Sequence, residues 1–338
     1  MKPASTRRAP WVGLAMGVYL LVVLIIVLTT RTWGDAAWFS TVLLFGPRWI
    51  YAVPGVLLLP SAARARGFER QLSVACLAAA FGLLVWFNDI TVLPSRWRMH
   101  SSEPLRLMTY NVGGGRFAQR DLIDLVAHAN IDVAGIEECN ALDTTAFAAA
   151  GYTALVDGGM CLVSRLPIRT IDPRDRRDFW VLNGSGDINR YEIDWRGRRF
   201  SLGVVHLETV RDGLESLRFG FWKRSWRGPQ TMRENIAERV LESREALEWM
   251  QRTTLPSIVV GDFNFPTDSA IYRTFWSSFG NALSRCGHGA MATKVTRWFG
   301  IRIDHILFDA AWTCRDAWTL PGLGGDHLPV VAELIGPR

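Results

Sequence analysis

Asp262 and Asn264 stand two residues apart at the end of the apolar run Ser257-Ile-Val-Val-Gly261. If Ile258–Val260 is a short buried strand stopped by Gly261, alternation puts Asp262 and Asn264 on one side and Phe263 on the other. A carboxylate so placed can take a proton from water, and the neighbouring amide can orient that water or hold a phosphoryl oxygen. Gly-Asp after an apolar strand is also ordinary turn chemistry, so the segment acquires meaning only from partners elsewhere.

Such partners recur along the chain. Leu107-Met-Thr-Tyr-Asn111 ends in Asn111, and Asp132-Val-Ala-Gly-Ile-Glu-Glu138 ends in two carboxylates. Val204-Val-His206 ends in His206, and Ile303-Asp304-His305 sets Asp304 in an otherwise apolar strand. Gly324-Gly-Asp326-His327-Leu-Pro329 places Asp326 and His327 just before the last apolar run. Any one of these is an ordinary cap or turn residue; together they form a set of oxygen donors and imidazoles without thiolates. That set suits Mg²⁺ or Mn²⁺ better than Zn²⁺. A histidine held by a buried aspartate can stay cationic near neutral pH, as phosphate binding requires.

The elements that must carry these groups are short. Leu105–Val112 and Asp132–Ile136 read as strands, with helical spacing over Asp121–Ala129 between them. Met160–Ser164 is another strand, and Tyr191–Trp195 with Phe200–Leu207 flank a hairpin signal at Arg196-Gly197-Arg198. Met232–Gln251 is the longest helix of this part. Ile258–Val260, Ile303–Phe308 and Val330–Leu334 complete a strand-rich α/β domain, without internal repeats or low-complexity tracts.

The residues before this domain have a different texture. The chain has 338 residues, 49% hydrophobic, with 15 Trp and a mean hydropathy of +0.10; the apolar excess lies in residues 1–93, as in a membrane anchor joined to a globular domain. Residues 11–30 run without a charge and are long enough to cross a bilayer. The stretch from Ala36 to Ala63 is broken at Gly46-Pro47-Arg48: its first part, with Trp38 and Trp49 as interfacial aromatics, reads as a surface-lying or re-entrant stretch, and residues 43–63, chiefly 49–63, give a short second span. After the basic loop at Arg64, Arg66 and Arg70, residues 71–93 give a third. Cationic loops place the N-terminus and Arg64–Arg70 in the cytoplasm, so three spans put the domain on the extracytoplasmic face. Residues 94–104 read as a linker, and residues 105–338 as the catalytic domain.

The ordered set Thr109-Tyr-Asn111, Asp132 to Glu138, Ser164-Arg165-Leu-Pro167, His206-Leu207, Gly261-Asp-Phe-Asn264, Ile303-Asp304 and Asp326-His327-Leu-Pro329 resembles the endonuclease/exonuclease/phosphatase superfamily. Deoxyribonuclease I, apurinic endonucleases, neutral sphingomyelinases and inositol polyphosphate 5-phosphatases are members, and membrane-anchored bacterial forms are a familiar arrangement. The resemblance implies a four-layer α/β/β/α sandwich and a Mg²⁺-dependent phosphoesterase. It implies Glu138 as principal metal ligand, with Asn111 and Asp326 completing or adjoining the metal site. Asp262 would activate the attacking water and Asn264 would orient it or the phosphate. His327, paired with Asp304, and His206 would bind phosphate and stabilise the transition state.

Two departures stand out. Glu137 occupies a position where the superfamily usually has Gln; alternation sends Glu137 and Glu138 to opposite faces, and the resemblance selects Glu138. Residues 214–228 interleave Arg218, Lys223, Arg224 and Arg227 with Phe219, Phe221, Trp222 and Trp226. They read as an insertion that stacks on bases, lies in a membrane interface, or packs as a surface loop. The five cysteines show no metal or disulfide spacing and read as buried thiols, with one disulfide among the last four open to an extracytoplasmic domain. His100, His128, His288 and His305 read as structural or exposed.

A net charge of +6 and a pI near 9.3 fit an anionic partner: nucleic acid, phospholipid or a small phosphate ester. The functional expectation is a membrane-anchored phosphoesterase acting on a phosphodiester or phosphomonoester. A catalytically silent anion-binding or assembly module on the same fold is the reading from another class.

Overall fold

Two-residue alternation divides each central strand between two apolar cores. In β1 (Leu105–Asn111), Leu105 and Leu107 enter one core while Met108 and Tyr110 enter another. The computed structural model describes residues 11–91, 103–113, 117–173, 186–223 and 227–336. Next come β2 (Val133–Glu137), β3 (Thr153–Asp157) and β4 (Met160–Ser164). The other strands are β5 (Ile168–Pro173), β6 (Asp187–Trp195), β7 (Arg198–His206), β8 (Ser257–Asp262), β9 (Gly280–Asn281), the short pair β10 (Lys294–Val295) and β11 (Gly300–Ile301), β12 (Asp304–Phe308), β13 (Thr313–Thr319) and β14 (Val330–Ile335).

Strands β13-β14-β1-β2-β4-β3 form one sheet and β5-β6-β7-β8-β12-β9 the other. The inward residues of both, among them Leu107, Leu162, Leu202, Val260 and Ile306, make the core between them. At Gly135 the sheets come so close that a Cβ would lie 2.8 Å from a Val260 methyl. Outside the first sheet lie the helices Gln119–His128 and Thr144–Ala149; outside the second lie Arg211–Lys223 and Gly228–Met250. The expected α/β/β/α sandwich is therefore the fold. The central pairs β1/β2 and β7/β8 are parallel, so each needs a helical crossover, and these helices supply it.

The N-terminal part comprises helices Trp11–Trp33, Trp38–Phe45, Val53–Arg64 and Gly67–Phe87. The first and last are long and apolar enough to cross a membrane, and the broken pair, bent by 92°, counts as a third if taken as one span. The last begins at Gly67 and ends at Phe87, not at 71 and 93. The first and last pack together through Met16, Tyr19, Val23, Leu77 and Leu84. Leu14, Val18, Leu21, Ile25 and Val74 are left facing outward, an apolar surface that lipid would cover.

The N-terminal helices and the sandwich are not strung apart. Leu44 and Phe45 of the short second helix enter the apolar core outside the second sheet. Arg31 and Arg48 reach Asp268 at 3.1 and 3.0 Å, and Asp89 accepts from Arg302 at 2.7 Å. The expected linker at 94–104 lies mostly outside the described residues, as does His100.

Two expectations are corrected. Four of the five cysteines are paired, as Cys139–Cys161 and Cys286–Cys314, with Cα separations of 5.7 and 6.1 Å inside the disulfide range; only Cys76 is free. The pairs have no diagnostic spacing because tertiary packing brings them together: the antiparallel β2/β4 pair for Cys139–Cys161, and the short helix Ala282–Cys286 against β13 for Cys286–Cys314. The basic-aromatic stretch is helical as far as Lys223, not the surface loop that was one of its three readings; residues 224–226 and the side chains of 219–223 lie outside the described residues.

Candidate active site

Strand register sets three of the expected residues in a row. His206 on β7 pairs with Asp262 on β8, and Asp262 pairs with Asp304 on β12. Gly261 is what allows β8 to end there: its φ is +151°, and a Cβ would lie 1.9 Å from the Val205 carbonyl oxygen. The chain then turns through Asn264, itself left-handed at φ +54°. The Asn264 N–H donates to Asp262 Oδ1 at 2.9 Å and its side-chain amide to the Leu207 carbonyl at 2.8 Å.

From the facing sheet, the Asn111 side-chain amide donates to Glu138 Oε1 at 3.0 Å and to Asp262 Oδ2 at 3.1 Å. His206 Nε2 lies 3.9 Å from both of those oxygens. Asn111, Glu138, His206 and Asp262 thus meet at one point between the two sheets. Glu138 reaches it by a route that strand alternation does not describe. It is the residue after β2, with φ +53°, and its side chain is half-exposed while Asn111 and Asp262 are buried. Glu137 points inward instead, accepting from Thr109 Oγ1 at 2.7 Å. Burial pushes its carboxyl well above the usual range, and nearby Asp304 and Asp262 add to the effect against the Thr109 hydrogen bond.

His327 occupies the other side of Asp262. Its Nδ1 lies 2.9 and 3.0 Å from the two oxygens of Asp304, and its Nε2 lies 3.6 Å from Asp262. Asp304 is fixed at the backbone, where Thr293 Oγ1 accepts from the N–H groups of Ile303 and Asp304 at 3.0 Å each. Burial alone would depress the imidazole pKa, but Asp304, and then Asp262, outweigh it and raise it to about 9. Burial and the neighbouring Asp304 raise Asp262 above its ordinary value, although His327 and His206 pull the other way.

Lys294 is a residue that sequence reasoning missed. It begins the β10–β11 hairpin, and its ammonium lies 2.7 Å from His327 Nε2 and 3.0 Å from Asp326 Oδ2. The surrounding Met291-Ala-Thr-Lys-Val-Thr-Arg-Trp298 has no pattern that singles it out. Asp326 is half-exposed and engaged by Lys294, 3.8 Å from His327 Nε2; burial works against Lys294 there, yet its pKa is lowered. Glu138, His206, Leu207, Thr209, Arg211, Asp262, Asn264 and Lys294 line a pocket of about 110 Å³.

Asp262, Asp304 and His327 present ligand-type atoms within 4.8 Å of one another. An imidazolium has no lone pair for a cation, so this cluster is better suited to holding charge on His327. The meeting point of Glu138 and Asp262 is different: it gathers two carboxylate oxygens around the Asn111 amide, whose own Oδ1 accepts from the Gly113 N–H at 2.9 Å, and Cys139, next to Glu138 in the chain, is disulfide-bonded. That donor chemistry fits a hard divalent ion. Of the remaining histidines, His305 is buried, bonded to Asn281 and to the Phe265 carbonyl at 3.1 and 2.8 Å. Its pKa is pushed down by burial to about 4, so it braces the Asp262–Phe265 turn as a neutral ring.

The model of the Endonuclease/Exonuclease/phosphatase family matches residues 108–327, leaving the N-terminal helices outside. The fold is similar to that of humanized D. rerio TDP2 carrying 14 mutations, 17% identical, at a TM-score of 0.54 over 69% of this chain and 100% of that one. D. rerio TDP2 complexed with single strand DNA product is 15% identical, with a TM-score of 0.53 and the same coverage. No curated protein matches the chain in sequence.

Proposed function

The chain belongs to the endonuclease/exonuclease/phosphatase family, a family of phosphoesterases, and from that premise we propose that it is a membrane-anchored, Mg²⁺-dependent phosphoesterase whose attacking water is activated by Asp262. One contact carries the reading. The Lys294 ammonium and the His327 ring, raised to about 9, stand 2.7 Å apart over a buried carboxylate. With His327 charged, two donors face each other, and an anionic oxygen entering between them would satisfy both.

The residues then divide the work. Asp262 accepts a proton from water, and Asn264, locked by Leu207, orients that water. His206, His327 and Lys294 hold the phosphoryl oxygens and stabilise the charge that develops during in-line displacement. Asp304 keeps His327 protonated and oriented. Glu138 and Asn111 would hold the divalent ion, with Asp326 adjoining through Lys294. Mg²⁺, or Mn²⁺ in its place, would neutralise a phosphoryl oxygen as a Lewis acid.

Two further observations bear on place and substrate. Disulfides persist in oxidising compartments, so Cys139–Cys161 and Cys286–Cys314 support a domain on the extracytoplasmic face of the cell membrane. The hairpin begun by Lys294 carries Trp298 in its turn, 70% exposed, and the Trp298 carbonyl accepts from the exposed Trp49 indole at 3.1 Å. An aromatic pair at the bend of the anchor suits headgroup depth. This supports a phosphate ester presented at the bilayer surface, such as a phospholipid or sphingolipid, over nucleic acid.

The test uses the full-length chain in detergent micelles with bis-p-nitrophenyl phosphate and Mg²⁺ or Mn²⁺. Hydrolysis abolished by EDTA and by Asp262→Asn supports the proposal. Equal, metal-independent rates in both proteins would leave a catalytically silent binding module.

A further inference from the structure

The turn that carries Asp262 and Asn264 is held by the membrane anchor. Asp35 follows the first long helix and is fully buried. Its Oδ1 accepts from Ser269 Oγ and from the Ala270 N–H, both at 2.8 Å. Its Oδ2 lies 3.1 Å from Arg239 Nη1. Arg239, on the helix Gly228–Met250 and 1% exposed, donates through Nη2 to the Asn264 carbonyl at 3.1 Å. The guanidinium also lies 5.4 Å from the ring of Phe45, another anchor residue.

Each link has a physical reason to be stiff. A buried guanidinium needs an anion, and Asp35 is the one that faces it. Asn264 adopts a left-handed backbone that a non-glycine residue keeps only when its surroundings impose it; the Arg239 bond to its carbonyl is one such restraint. Gly34 adds fit, since a Cβ there would lie 2.5 Å from the Ala270 nitrogen. Farther along the same segment, Asp268 is held by Arg31 and Arg48. Anchor side chains therefore grip the catalytic segment at Asn264, through Arg239, and directly at Asp268, Ser269 and Ala270.

We infer that Asp35 is a positioning residue for the hydrolytic site: through Arg239 it sets the Asn264 turn, so the membrane anchor is part of the machinery that aligns the attacking water. This rests on the phosphoesterase reading for its kinetic consequence, though not for its structural one.

The experiment compares full-length wild type, Asp35→Asn, Asp35→Glu and the double variant Asp35→Asn/Arg239→Met, which removes both charges and so leaves no orphaned cation in the core. Hydrogen exchange is followed over residues 261–270, and kcat and KM are measured per folded molecule on bis-p-nitrophenyl phosphate. The expected result is faster exchange confined to that segment and kcat lower by about tenfold with KM little changed, partly restored in Asp35→Glu. Unchanged exchange in the double variant and Asp35→Asn overturns the inference. So does faster exchange with wild-type kcat, which would make the contact structural only. If the wild type does not outpace Asp262→Asn, the phosphoesterase reading fails and the kinetic role with it, while exchange alone still decides whether Asp35 holds the turn.

Discussion

Asp304 presents both of its carboxylate oxygens to a single atom of His327, at 2.9 and 3.0 Å from Nδ1. The ring is thereby fixed in orientation and in charge, and its other nitrogen is directed toward Asp262 and Lys294. Loss of the protonated ring should appear as an alkaline limb in kcat/KM centred near pH 9, the value to which Asp304 raises His327. The active form is the protonated one, so rate is present below that pH and lost above it. The ion pair's contribution to stability follows the same sign, complete below about 6.5 and lost as the pH rises through about 9. Asp304→Asn should move the limb down by at least one pH unit (order of magnitude), read from pH–rate profiles.

Removing the base should affect the chemical step. Asp262→Asn keeps the size of the side chain and the acceptor for the Asn264 N–H, so kcat should fall by about 10²–10⁴-fold with KM little altered. Steady-state kinetics on the purified full-length chain reads this directly.

Glu138 and Asn111 should reveal themselves through metal dependence. Glu138→Gln and Asn111→Ala are expected to raise the Mg²⁺ concentration for half-maximal rate by about tenfold or more. Titration calorimetry with Mg²⁺ or Mn²⁺ alone supplies a check that does not depend on turnover.

The disulfide Cys139–Cys161 begins at the residue after Glu138 and ties the end of β2 to β4. Its removal in Cys139→Ser/Cys161→Ser should cost about 2–4 kcal/mol of stability, seen as a lower Tm. It should also raise the Mg²⁺ requirement, because Glu138 loses the link that fixes its left-handed backbone. The wild type exposed to a reducing agent should follow the double variant.

Substrate preference should follow the hairpin. In nanodiscs, the full-length chain is expected to hydrolyse a phospholipid or sphingolipid faster than DNA, RNA or soluble inositol phosphates. Trp298→Ala should lower the rate on the bilayer substrate while leaving bis-p-nitrophenyl phosphate unaffected. A nuclease preference that is indifferent to Trp298 would overturn the bilayer assignment.

Much of this site was legible because its groups sit at the ends of apolar runs, where Asn111, His206, Asp262 and Asp304 interrupt a hydrophobic pattern. The four-layer sandwich followed from the motif set, not from periodicity, and the order of strands within each sheet carries no signal in the sequence. The edge strands β3 and β13 were missed: their residues are largely half-exposed, so they lack the apolar continuity of the central strands. Glu138 does stand beside Asn111 and Asp262, but not by strand alternation, since its backbone is left-handed and outside the strand. Lys294 carries no local pattern because its partners arrive from another strand. Asp35 did carry one: it is the first acidic residue of the chain and stands alone in an apolar region until Glu69. A carboxylate so isolated must be buried against a cation or lost to water, but nothing local names Arg239 as the cation.

Leu44 and Phe45 pack into the core outside the second sheet, and Asp35 meets Ser269 across 234 residues of chain. During synthesis the short helix emerges first, when the sheet it will cover does not yet exist. The sandwich therefore completes its folding against helices that are already made. Cutting the chain between these helices and the sandwich would strip that core of part of its own cover.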